Sequence, residues 1–256
     1  MLVLLPPSEG KTAPAAGAPV DLDALAHPQL TPARVQVLDA VAEAVRSAAV
    51  VKSWGLPAAA AAEVVKAGML RDAPAAPAAR VYSGVLYDAA KTSTWDGATL
   101  ARAAERVRIF SGLWGVLSPA NHIPAYRLPM GVSVPPLGPL AGHWRGPLTT
   151  TLGPLTREQL VVDCRSGAYV AAMRPHGDAW YQVRVEREAK GRRSVVSHFA
   201  KHARGLLAGL LATATSAPTS GEELAHAATA LVGQPTGAAT LTGVELHPGR
   251  LTLVVT

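Results

Sequence analysis

The sequence predicts an α/β fold, a single domain over residues 1–256 with a mixed β-sheet surrounded by helices. Three observations predict it. Short runs at 2–5, 106–110 and 160–163, rich in Leu, Val, Ile and Phe, have strand length. Between them lie stretches with helical spacing, of which Val35, Leu38, Val41, Ala42 and Val45 are the clearest. A charged pair of segments around Lys190-Gly191 reads as a hairpin. Strands interleaved with helices cover both faces of a sheet.

Taken in order, Leu2 to Leu5 forms the first strand and runs into PPSEGKT. The GKT ending is that of a phosphate-binding P-loop, but the glycine required five residues before it is Leu5, and Pro6 and Pro7 have no N–H for phosphate. The loop is expected to be polar and tight, without a Walker motif. Thr31 is expected as the N-cap and Pro32 as the first residue of a helix through Val45. A second helix is expected from Ala58 to Ala67, ended by Gly68, and alanine-rich patches at 57–62 and 73–79 read as loops entering helices. The strand 106–110 feeds a long loop, SGLWGVLSPANHIPAYRLPMG. The strand 160–163 precedes a helix near 168–173, and segments 182–188 and 194–198 flank the hairpin turn. A helix through Leu211, another near 222–231 and two strands ending at Val255 complete the chain.

Composition narrows the function classes. No apolar run approaches the roughly 18 to 20 residues that span a bilayer, so no membrane partner is expected. LVLL has no basic region before it and reads as a strand, not a signal peptide. With one cysteine, Cys164, no internal disulfide can form, and the cytoplasm is the expected compartment. The same count excludes thiolate zinc and iron–sulfur ligation. Net charge is +6, and Arg184, Arg187, Lys190, Arg192, Arg193, Lys201 and Arg204 face only Glu186 and Glu188 in their stretch. Such a segment fits an anionic partner.

Candidate site residues follow from where the strands end, because ligands of open α/β sheets gather beyond the strand carboxyl ends. Ser8 and Lys11 follow the first strand, Ser111 and Gly112 the second, Asp163 and Ser166 the third. Tyr82, Tyr126 and Arg127 add flat hydroxyl-bearing faces and a five-donor fork suited to phosphate. Ser8, Lys11, Tyr82, Ser111, Gly112, Tyr126, Arg127, Ser166, Lys201 and Arg204 are the expected ligand- or phosphate-binding set. Lys11, Tyr126 and Asp163 are the candidates for any proton transfer. Arg184, Arg192, Arg193, Lys201 and Arg204 are the expected nucleic-acid contacts. His198 and His202 sit four apart, but Phe199 stands where a zincin has its glutamate, so no metal or other cofactor is expected. No G-x-S-x-G elbow occurs.

Five segments together carry a family resemblance: LLPPSEGKT, VYSGVLYDA, RIFSGLWGVLSPANHIPAYRLPMG, LVVDCRSGAYVAAM and VVSHFAKHARGLLAGLLA. The chain resembles the YaaA family of bacterial peroxide-stress proteins. That resemblance implies a YaaA-like α/β fold with a polar, basic cleft and a role in limiting peroxide damage through lower free intracellular iron. It also implies DNA binding, with the helical segment 30–70 matching a helix-hairpin-helix-like element. Two readings stand side by side. One is a stress protein that binds DNA or another phosphate-bearing ligand; the other is an enzyme acting on a small nucleotide-like or other anionic substrate.

Overall fold

Leu2–Leu5 (β1) lies at the heart of the sheet with all four residues buried. In this computed structural model residues 1–57, 59, 61, 70–195 and 198–256 are described, without the side chains of 198 and 199. After β1 come helices Thr31–Ala44 (α1) and Ala48–Ser53 (α2). Short strand Ala76–Pro77 (β2) leads to helices Ala78–Val81 (α3) and Val85–Ala89 (α4). Helix Gly97–Arg106 (α5) runs directly into Val107–Ser111 (β3) and Gly115–Leu117 (β4). Two-residue strands His122–Ile123 (β5), Ser133–Val134 (β6) and Gly138–Pro139 (β7) precede the helix Leu140–Glu158 (α6). Val161–Asp163 (β8), helix Gly167–Ala172 (α7) and the hairpin of Trp180–Ala189 (β9) with Arg192–Val195 (β10) follow. Helices His198–Thr213 (α8) and Gly221–Thr229 (α9), then Leu241–His247 (β11) and Arg250–Val255 (β12), end the chain.

The main sheet has the order β11-β12-β9-β8-β1-β3-β4, with β10 also on β9. The pairs β12–β9, β9–β8, β8–β1 and β1–β3 are parallel, while β11, β4 and β10 pair antiparallel with their neighbours. The sheet is therefore mixed and flanked by helices, as expected. A central parallel strand is covered on both faces, which is why β1 is uniformly apolar. Registers Leu5↔Ile109 and Leu4↔Asp163 bring the carboxyl ends of β1, β3 and β8 side by side.

Several helix starts are sealed by their own side chains. Asp96 accepts from the Thr99 N–H at 2.7 Å, and Ser220 accepts from Glu223 N–H at 3.2 Å while Glu223 reaches back to Thr219 N–H at 2.8 Å. These interactions satisfy N–H groups that a first turn leaves open.

Some expectations need correction. Thr31 is not the N-cap: a 3₁₀ turn at Pro28–Leu30 leads straight into the helix, and the Thr31 hydroxyl donates to the Leu22 carbonyl instead. The loop 111–131 contains β4, which turns back on β3. The predicted helix over 58–67 lies largely outside the described residues, as does part of the strand predicted at 194–198. The hairpin is present, with Lys190 and Gly191 both at left-handed φ, 51° and 70°.

Arg34 of α1 is fully buried. Its guanidinium donates to the carbonyls of Ala26 (2.6 Å), Val116 (3.0 Å), Trp114 (3.1 Å) and His27 (3.4 Å). It rivets α1 to β4 and to the loop before the helix. A side chain spent on four carbonyls has no reach to phosphate.

Candidate functional site

The loop after β1 is pinned against the residues following α3. Thr12 N–H donates to Val81 O at 2.8 Å, Ser83 N–H to Gly10 O at 3.3 Å, and Ser83 N–H also approaches Ser8 Oγ at 3.2 Å. This stitching turns Lys11 inward. Its ammonium donates to Ser8 O at 2.7 Å and lies 4.4 Å from the Tyr126 ring centroid and 5.3 Å from that of Tyr82. An ammonium over an aromatic face is held by the ring quadrupole.

Beneath it runs a chain of hydroxyls. Ser111 Oγ accepts from Leu113 N–H (3.1 Å) and Trp114 N–H (2.9 Å), which occupies both its lone pairs. Its own proton therefore goes to Tyr126 Oη at 2.6 Å, and Tyr126 Oη shares a hydrogen bond with Tyr82 Oη at 2.7 Å. Burial raises the pKa of both phenols well above the ordinary value, with neighbouring Tyr126 adding to the shift at Tyr82. Both stay protonated at neutral pH and act as rigid props, not bases.

Ser8, Lys11, Tyr126 and Arg127 line one cavity of about 430 Å³ together with Tyr169 and Met130. Arg127 Nη2 lies 3.4 Å from Glu9 Oε2 at its mouth. A second cavity of about 260 Å³ shares the wall of Pro7, Ser8, Glu9 and Tyr169 and gathers Ser166, Lys201, Arg204 and Cys164. Tyr169 divides the two. Burial lifts its phenol to about 12, opposed by a hydrogen bond with the Met130 backbone and aided to a lesser degree by the Glu9 charge. Cys164 is fully buried, and loss of solvent lifts its thiol to about 12, so it remains a thiol and a poor nucleophile.

Four expected site residues line neither of these cavities. Ser111 is completely buried under Tyr126 and supports the cavity without lining it. Gly112 is small for packing reasons: a Cβ there would stand 2.5 Å from Leu128 O, so only glycine lets the 128–130 backbone cross it. Asp163 is 2% exposed and locked onto Arg165, through Oδ1 to Nε (2.8 Å) and Oδ2 to Nη2 (2.7 Å). Trp180 Nε1 adds a bond at 3.1 Å. Its oxygens are occupied, and it faces a third hollow, away from Lys11. Tyr82 stands with Tyr126 as a support, stacked on Tyr87 at 5.2 Å.

The expected nucleic-acid set divides as well. Arg184 and Arg204 line the third hollow, and Lys201 the second cavity. Arg192 and Arg193 are exposed on β10, and Arg193 is tied to Glu188 (3.1 Å) and Glu245 (2.8 Å). Among the described residues no three His, Cys, Asp or Glu converge where they could hold a metal ion, and no helix is long and apolar enough to cross a membrane. The His198 side chain lies outside the described residues.

A family model described as peroxide stress protein YaaA matches residues 1–229. This chain belongs to the YaaA peroxide stress family. Its relatives extend the match over most of its length. A UPF0246 protein of Streptomyces coelicolor is 43% identical over 89% of this chain and 88% of its own. A UPF0246 protein of Corynebacterium efficiens is 38% identical across the whole of both chains, and one from Corynebacterium glutamicum is 40% identical over 83% and 85%. The matched region spans every YaaA segment that builds the two cavities, from Ser8 to Arg204. Sequence reading missed Tyr169, Met130 and Glu9 as walls. Tyr169 was accessible to it as the one aromatic of the CRSGAYVAAM segment.

Proposed function

We propose that this YaaA-family chain serves the peroxide stress response in the cytoplasm by binding a small phosphate-bearing ligand in the cleft beyond β1. Lys11 and Arg127 supply the charge, Ser8 a hydroxyl, and Tyr169 a flat wall. One observation carries the reading: Lys11 and Arg127, remote in sequence, line the same 430 Å³ cavity. That volume lies in the range of small-molecule sites. Any lowering of free iron is then an effect downstream of the ligand.

Binding is favoured over catalysis because two of the three proton-transfer candidates, Asp163 and Tyr126, are committed. Asp163 is saturated by Arg165, and Tyr126 is held protonated. Duplex DNA is the competing partner, and the basic hairpin is the surface that would hold it. A peroxide-survival assay of a strain lacking the gene separates these readings. Lys11→Ala with Arg127→Ala should abolish protection, since losing two charged hydrogen bonds costs on the order of 3 kcal/mol, over a hundredfold in affinity. Charge reversal at Arg192 and Arg193 should leave protection intact. Full protection by the cleft variant at normal expression would overturn the proposal.

A further inference from the structure

A hollow of about 560 Å³ opens where β9 passes β8 and meets the start of β12, walled by Arg165, Arg184, Arg204, Arg250, Gln182 and Asp163 among others. Register explains the gathering. Gln182 pairs with Asp163 on one side and Arg250 on the other, and Arg184 lies two residues along β9 on the same face. Arg204 reaches in from α8, donating Nε and Nη2 to Val183 O at 3.1 and 2.7 Å.

The charges in this hollow do not balance. Among the described residues Asp163 is its only carboxylate, and Arg165 consumes it in a bidentate pair. Arg184 has Glu186 at 2.7 Å. Among the described residues Arg204 has three N–H donors beyond its two bonds to Val183. The Nε of Arg250 is shut off from solvent and has no hydrogen-bond partner among the described residues. Arg250 contributes its charge to the lining of the hollow.

We propose that this hollow is a second anion site, taking a small multivalent oxyanion such as a pyrophosphoryl group. It is separate from the Lys11–Arg127 cleft and does not rest on the reading of that cleft. Guanidinium forks from β9, α8 and β12 match paired phosphate oxygens. Among the described residues no aromatic ring lines the walls, so the site grips the charged head of a ligand and offers no platform for a base.

The test is a titration of the full chain with inorganic pyrophosphate, followed by the backbone amide signals of Gln182, Gly249 and Arg250. These should shift saturably. The affinity read at Gly249 should fall at least tenfold in Arg184→Gln and in Arg250→Gln, and fall less in Arg250→Lys, which keeps the charge but loses the fork. Lys11→Ala with Arg127→Ala should leave it within twofold. A Gly249 amide that does not move in the unaltered protein would overturn the proposal, a result that needs no variant to fold. So would unchanged affinity in both glutamine variants, or shifts confined to the Gly10 to Lys11 loop.

Discussion

His27 shows how much one side chain can be asked to hold. It sits at left-handed φ of 60° before the 3₁₀ turn, and its Nε2 accepts from Arg108 Nε at 3.1 Å. A ring nitrogen that accepts cannot carry a proton. Burial first, then the charges of Arg108 and Arg34, pull its pKa down to about 4. The folded pKa lies below the unfolded value near 6.5, so the unfolded chain binds more protons between the two. Stability from this group is therefore complete above about pH 6.5 and is lost as pH falls towards 4. Allowing for the partial exposure of the ring, the effect is about 1–2 kcal/mol. His27→Asn, which tolerates the left-handed backbone, should be less stable than the parent at pH 7. The gap should close by that amount at pH 4, read as urea midpoints. A constant gap across pH would contradict the assignment. At this scale the sequence was a good guide to which residues approach the cleft and a poor one to which way they point. Ser8, Lys11, Tyr126 and Arg127 line one cavity, and Ser111 and Asp163 do not. Ser111 has the right address but the wrong direction, because its oxygen is taken by the N–H groups of its own turn.

Elements were legible where a single periodicity ruled. β1, β3 and β8 are short buried runs and could be read directly. β4 was not, since three residues inside a glycine-rich loop give no period, and only pairing with β3 defines them. α6 was hidden by Pro147 and Pro154, which normally end helices. Leu140, Trp144, Leu148 and Leu152 recur every fourth residue and are all fully buried, and this stripe holds the helix despite the lost N–H bonds. Packing between helices was equally invisible. Where α8 crosses α4, a Cβ on Gly205 would collide with the Leu86 carbonyl oxygen and stand 2.8 Å from Ala89 Cβ. Gly205→Ala should therefore cost about 1–3 kcal/mol despite alanine's better helix propensity. It should also disturb Ser83 and Gly84, which wall the second cavity just before α4. Thermal denaturation checks the first effect, and an unchanged or raised Tm would mean the helices can part without loss.

Across the whole molecule, the net charge of +6 is less a single basic face than a set of separate assignments. Arg34 is internal, Arg165 is neutralised by Asp163, and Arg193 by Glu188 and Glu245. The three concave surfaces described above hold, among others, Lys11 and Arg127 in one cavity, Lys201 and Arg204 in the next, and Arg165, Arg184, Arg204 and Arg250 in the third hollow. Composition could reveal the surplus but not this partition, which depends on strand register. The central claim is that the cavity of Lys11 and Arg127 receives a phosphate group. Diffraction from crystals soaked in a nucleoside 5′-monophosphate tests it most directly. The account predicts phosphate density within hydrogen-bonding distance, about 2.7–3.0 Å, of both Lys11 Nζ and the Arg127 guanidinium. An empty cleft beside an occupied β9–β10 hairpin, or beside no bound phosphate at all, would contradict it.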